Sequence, residues 1–79
     1  MGALSNLDFA MLKERITARQ LADMIADKIG AAGLEIVVRE DHAFGWQPVV
    51  AAAPGDLIGY QRRAEEIANR LRLQFDLRN

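Results

Sequence analysis

Few residues of this chain could do chemistry, and most of them sit together. Glu40, Asp41 and His42 place two carboxylates beside the only imidazole among 79 residues. That pairing could in principle hold a metal or move a proton. Adjacent residues in a turn diverge, however, and a metal needs three or four convergent ligands steadied by outer hydrogen bonds. The chain has no second His and no Cys, so we expect neither metal nor cofactor and read the triplet as a solvated hairpin tip. Hydroxyl nucleophiles are as scarce. Ser5, Thr17 and Tyr60 are the whole set, and Thr17 is better explained as a helix cap. We expect no enzyme.

Two further groups could bind rather than react. Phe44-Gly45-Trp46-Gln47-Pro48 sets two large aromatics around a glycine able to take positive φ at a turn or bulge. Trp46 either caps the core or stands out with Phe44 as an anchor for a partner, a role in which Trp is enriched. Arg62, Arg63, Arg70, Arg72 and Arg78 crowd the last third of the chain. Between Asp56 and Asp76 four arginines meet four acids, so the segment is neutral and reads first as a salt-bridged solvated face. Phosphate contacts through Arg62, Arg63 and Arg70 are the disfavoured alternative.

These residues must be positioned by short elements. Thr17 and Gln20 have the spacing of a capping box, with Ile16 and Leu21 placed as a hydrophobic staple. A helix is therefore expected over 18–30, with Leu21, Met24, Ile25 and Ile29 on one face and Asp23 and Asp27 facing away. Gly30 to Gly33 ends it. Residues 16–25 resemble the first helix of a helix-turn-helix, which would imply DNA binding through a following helix. Strand-like residues follow Gly33 instead, where that motif needs its recognition helix. A second helix is expected over 57–75, capped by Asp56 and carrying Leu57, Tyr60, Ala64, Ile67, Ala68, Leu71 and Phe75 on one arc. On its outer side Arg62, Glu66 and Arg70 alternate in sign at helical spacing.

Between the helices, strands are expected over 34–39 and 46–53. Leu34, Ile36 and Val38 point to one face with Trp46, Val50 and Ala52, while Glu35, Val37, Arg39, Gln47 and Val49 point to the other. Pro48 cannot donate to a ladder, so its bare nitrogen should face outward and mark the second strand as an edge. The unprotected edge is then Glu35 to Arg39, open to residues 7–12 of this chain or to a second copy. Residues 1–6 are expected to be disordered. Residues 5–16 fit both templates, Phe9, Leu12 and Ile16 at helical spacing and Leu7, Phe9 and Met11 in alternation, and we read a short helix in preference to a strand.

Composition bounds the rest. Half of the residues are apolar and about a quarter charged, with net charge −1, which suits a folded domain and gives no basic or acidic tail to steer it to nucleic acid or a membrane. A chain this small buries only about 60–65% of its unfolded surface. Without cysteines, oligomerisation is the remaining way to add buried surface. No run approaches the roughly 20 apolar residues that span a bilayer, and no basic segment leads into an apolar one at the start, so a cytoplasmic protein is expected. Eight Arg against two Lys, with thirteen Ala, suggest a bacterial source of high GC content.

The expected fold is a single α+β domain over 1–79 in the order α-β-β-α, an antiparallel hairpin packed on one face by two helices, with room for a short N-terminal helix or strand. The expected function is a non-catalytic binding or interaction module, homodimeric or paired with another protein chain, using Glu35, Val37, Arg39, Phe44 and Trp46. The alternative is a nucleic-acid-binding regulator using Arg62, Arg63, Arg70 and the aromatic tip. Leu71 and Ile36 are expected to be core residues.

Overall fold

The structure is a computed structural model that describes residues 13–78. Its elements are β1 (Glu14–Thr17), α1 (Ala18–Ile29), β2 (Glu35–Asp41), β3 (Gly45–Ala52), α2 (Leu57–Leu71) and β4 (Phe75–Arg78). The domain is α+β, with one helix before an antiparallel β2–β3 hairpin and one after it. Residues 1–6, and the strand alternation at Leu7, Phe9 and Met11, lie outside the described residues.

Local chemistry fixes where α1 begins and ends. The Gln20 N–H donates to Thr17 Oγ1 at 3.1 Å while the Thr17 N–H donates to Gln20 Oε1 at 2.9 Å, so two otherwise unpaired amide donors are satisfied reciprocally. At the far end Gly30 takes φ 72° and its N–H closes on the Ala26 carbonyl at 2.8 Å. A side chain there would be strained, which is why glycine ends the helix. α1 buries Leu21, Ala22 and Ile25.

α2 starts on Asp56, whose Oδ1 accepts from the Ile58 N–H at 3.2 Å, and it buries Ala64, Ala68 and Leu71. It stops at Leu71, four residues short of the expected end. The Leu73 and Gln74 amides donate to Arg70 and Leu71, each three residues back, which tightens the last turn and releases the chain. From Phe75 onward the residues alternate, Phe75 and Leu77 half-buried, Asp76 and Arg78 exposed. Phe75 belongs to a strand rather than to the helical stripe.

That strand corrects a second expectation. Residues 14–17 form no helix; they are β1, paired in parallel with β4 so that Glu14 lies opposite Phe75 and Ile16 opposite Leu77. A parallel pair needs a long crossover between its strands, and here the crossover is the whole of α1, the hairpin and α2. Lys13 Nζ and Asp76 Oδ1 add an ion pair at 3.9 Å.

In the hairpin, α1 lies along β2 and α2 along β3. Ile36 and Val38 face the helices with Trp46, Pro48 and Val50, and the alternate residues Glu35, Val37, Arg39 and Gln47 are exposed. The tip is a three-residue loop closed by the Asp41 carboxylate, which accepts from the Ala43 and Phe44 amides at 3.0 and 2.8 Å. Gly45 follows at φ 87°, the left-handed position that three-residue hairpins require. One core joins both ribbons: Ile16, Leu21, Ile25, Val38, Trp46, Val50 and Leu71 are its large members. Among the described residues no helix is long and apolar enough to cross a membrane.

Leu71→Ala should cost about 2–4 kcal/mol, the range for emptying a buried leucine site. Ile36 is only half-buried, so Ile36→Ala should cost clearly less. Urea unfolding of both variants tests this order, and equal losses would mean that α2 does not seat Leu71 in the core.

Candidate functional site

The tip triplet does not converge. Asp41 is committed to the turn and His42 is exposed. Among the described residues no three His, Asp or Glu side chains approach as metal ligands would.

Trp46 is not an exposed anchor. It is 1% accessible, and its indole Nε1–H donates to the Phe75 carbonyl at 3.2 Å. It belongs to the buried core, and Arg72 packs against it. The Arg72 Nε–H donates to the Trp46 carbonyl at 2.8 Å and an Nη1–H to Asn69 Oδ1 at 2.6 Å. The guanidinium carbon lies 5.0 Å from the Phe44 ring centre and 5.1 Å from that of Trp46. The cation therefore lies over both aromatics and covers the tryptophan from solvent. Burial pushes the Arg72 guanidinium below its ordinary value, against the pull of the Asp41 and Glu65 carboxylates. Phe44 remains 62% exposed, although Arg72 occupies a face of its ring.

The three arginines of the nucleic-acid reading line two different grooves. Arg63 and Arg70 share a groove of about 330 Å³ with Lys28 and Glu66, and Arg63 also lies 6.0 Å from the Tyr60 ring centre. Arg62 lines a different hollow, beside Leu57, Ile58 and Glu65.

Among the described residues the two edges of the hairpin differ. On β3, the Gln61 side chain reaches over from α2. Its Nε2 donates to the Pro48 carbonyl at 3.0 Å, and its Oε1 accepts from the Val50 N–H at 2.8 Å. One amide thus reproduces what a neighbouring strand would offer, and Arg72 takes the Trp46 carbonyl farther along. Because these groups of Trp46, Pro48 and Val50 face away from β2, the ladder must run through the alternate residues, Gln47 opposite Arg39 and Val49 opposite Val37. The missing N–H of Pro48 therefore falls on the outer edge and costs no ladder bond.

The same alternation decides β2. If Val37 and Arg39 bond to β3, the backbone N–H and C=O of Ile36 and Val38 point to the far side. Beside them runs a groove of about 450 Å³ between β2 and α1. Ala18, Ala22 and Ala26, one helical turn apart, form its α1 wall, with Arg19 and Asp23 at the rim. Glu35 and Arg39 are exposed on the outer face of this edge, and Val37 between them is 39% accessible.

Through Pro48 the sequence marked β3 as the blunted edge. It missed Gln61 and Arg72, because a lone Gln or Arg on a helix announces no partner, and it missed the alanine wall. The Ala18, Ala22, Ala26 spacing was the available signal.

Arg72→Ala leaves the Trp46 carbonyl without its donor, a loss of about 1–3 kcal/mol, and strips the cover from the only Trp. Thermal melting should fall, and the native fluorescence should shift to the red. Arg72→Lys should recover only part, lacking the planar fork. An unshifted emission maximum would show that Arg72 does not shield the indole. Comparison with known protein families, curated proteins and solved structures finds no match.

Proposed function

We propose that the protein is a binding module, without chemistry of its own, that receives an extended polypeptide segment along the edge of β2 that no described strand pairs. The observation carrying this is the asymmetry of the hairpin: β3 is closed by Gln61 and Arg72, while β2 borders an alanine-walled groove. Strand addition suits such a place, since backbone bonds hold the incoming segment and alternate side chains select it. Glu35, Val37 and Arg39 would read one face of the segment, and the groove the other. A cysteine-free chain rich in Ala and Arg fits the bacterial cytoplasm as its place of work.

Random linear peptides displayed on phage and selected against the immobilised protein provide the probe. A selected peptide, titrated into the ¹⁵N-labelled protein, should slow amide exchange at Ile36 and Val38 and shift Ala22 and Ala26. Val37→Lys should weaken binding at least tenfold, because a lysine on an exposed strand edge opposes pairing. Selected peptides that map to α2 instead would overturn the reading.

A second reading rests on the groove shared by Lys28, Arg63 and Arg70, which three cations line with one acid, Glu66. It makes the protein a nucleic-acid-binding regulator and predicts a low-salt gel shift that Arg63→Glu and Arg70→Glu abolish and that weakens steeply with salt. Arg62→Glu should do less, since it lies outside that groove. Absence of any shift at low salt would remove this reading.

A further inference from the structure

We infer that the segment received by the β2 edge is β2 of a second copy, paired antiparallel about a two-fold axis through Val37. The inference rests on the docking reading above and names its occupant.

Geometry restricts the registers. Of the β2 groups that face away from β3, those of Ile36 and Val38 meet no described strand, so these must supply the hydrogen-bonded pairs of the antiparallel partner. Registers centred on Ile36, Val37 or Val38 all meet that condition; charge separates them. Centring on Val38 sets Glu35 opposite the partner's Asp41, two like charges face to face. Centring on Ile36 sets Glu35 opposite the partner's Val37 and leaves Arg39 with no acid opposite. Centring on Val37 sets Glu35 opposite the partner's Arg39 and Arg39 opposite the partner's Glu35. It also brings the two Val37 side chains together on the axis. Ile36 and Val38 then exchange their bonds with Val38 and Ile36 of the other copy. Opposite charges across a strand pair favour the alignment centred on Val37, like charges oppose the one centred on Val38, and the one centred on Ile36 gains no charge pair, so a seven-residue strand carries its own register.

The helix above the edge agrees. The same axis runs the two α1 helices antiparallel and close together, and close approach needs small side chains where they meet. Ala18, Ala22 and Ala26 provide that wall. Arg19 and Asp23, one turn apart at its rim, carry opposite signs and can cross-pair between antiparallel helices. Joining the edges makes one four-stranded sheet whose outer strands are both β3, each already closed by Gln61. The pairing therefore ends at two copies and does not continue into a fibre.

Sedimentation of the full chain at tens of micromolar should give twice the 8.8 kDa of one chain. Val37→Cys should form an intermolecular disulfide under mild oxidation, since residues facing each other on the axis have Cα atoms about 4.5 Å apart, within disulfide reach. Val49→Cys, on the same face but one strand away in each copy, would lie about 14 Å from its counterpart and should not. Glu35→Arg and Arg39→Glu should each weaken association at least tenfold, and the double exchange should restore it to within a few-fold. A dimer that fails to cross-link at residue 37, or that ignores both charge reversals, would overturn this register. A monomer at every concentration would overturn self-pairing. If the phage-selected peptide still protected Ile36 and Val38 in that monomer, the docking reading would stand alone; if it bound elsewhere, both would fall. A monomer with these amides already protected would mean that another part of this chain occupies the edge.

Discussion

The fold depends on the junction where Trp46, Arg72 and Phe75 meet. The hairpin and the β1–β4 ribbon are separate two-stranded pairs, and neither would stand alone in water. The indole donates to β4, Arg72 at the end of α2 donates back to β3, and the buried ring fills the space between them. A single tryptophan is large enough to belong to both ribbons, and its one N–H is spent on the joint itself. Its position at the start of β3 means that the hairpin tip, the end of α2 and the beginning of β4 are fixed by the same contact. Phe44 is drawn in as the outer layer of that contact, which explains an exposed aromatic without assigning it a ligand.

This junction also explains how edges are managed. Among the described residues the strands form two-stranded ribbons alone, which leaves many strand edges for the size of the domain, and each must be covered or left usable. Covering β3 takes two side chains from α2, Gln61 and Arg72, because that helix lies along the strand. α1 lies along β2, but the residues it presents at the groove are alanines with Arg19 and Asp23 at the rim. Alanine cannot reach a backbone group. Among the described residues, the difference between an edge that side chains close and one that they leave open is therefore a difference in side-chain length between two helices that occupy equivalent positions.

Much of the architecture was legible because it is written locally. Thr17 with Gln20, Gly30, Asp56 and the turn glycine Gly45 each act within a few residues of themselves, so the α-β-β-α order followed from the sequence. The parallel ribbon was not legible, because Glu14 finds Phe75 only after everything between them has folded, and four-residue strands carry too little alternation to compete with a helical reading. The same reason extended α2 to Phe75, whose apolar side chain fits a helical arc and a strand equally well. At the candidate site, Pro48 told which edge was blunted because its chemistry is a property of the residue. Trp46 and Phe44 could not be sorted into core and surface, since what sorts them is an arginine 26 positions from the tryptophan.

The energetics of an open edge divide its affinity from its specificity. Four new backbone bonds between strands contribute about 0.5–1.5 kcal/mol each, while association costs on the order of 4–15 kcal/mol in lost translational and rotational freedom. Backbone pairing at β2 cannot by itself hold any partner firmly. The surplus has to come from apolar surface, at about 25 cal/mol for each Å² removed from water, and on this edge such surface consists of Val37 on one face and the alanine wall with Ile36 on the other. Glu35 and Arg39 lie in solvent, where pairs contribute only about 0–1 kcal/mol. In the proposed pairing their influence would instead be exerted through the register they forbid, since placing Glu35 against another acid would cost binding that the groove otherwise supplies. On the proposed reading, alanine and valine would determine how tightly a segment is held, and two exposed charges would determine which alignment is held.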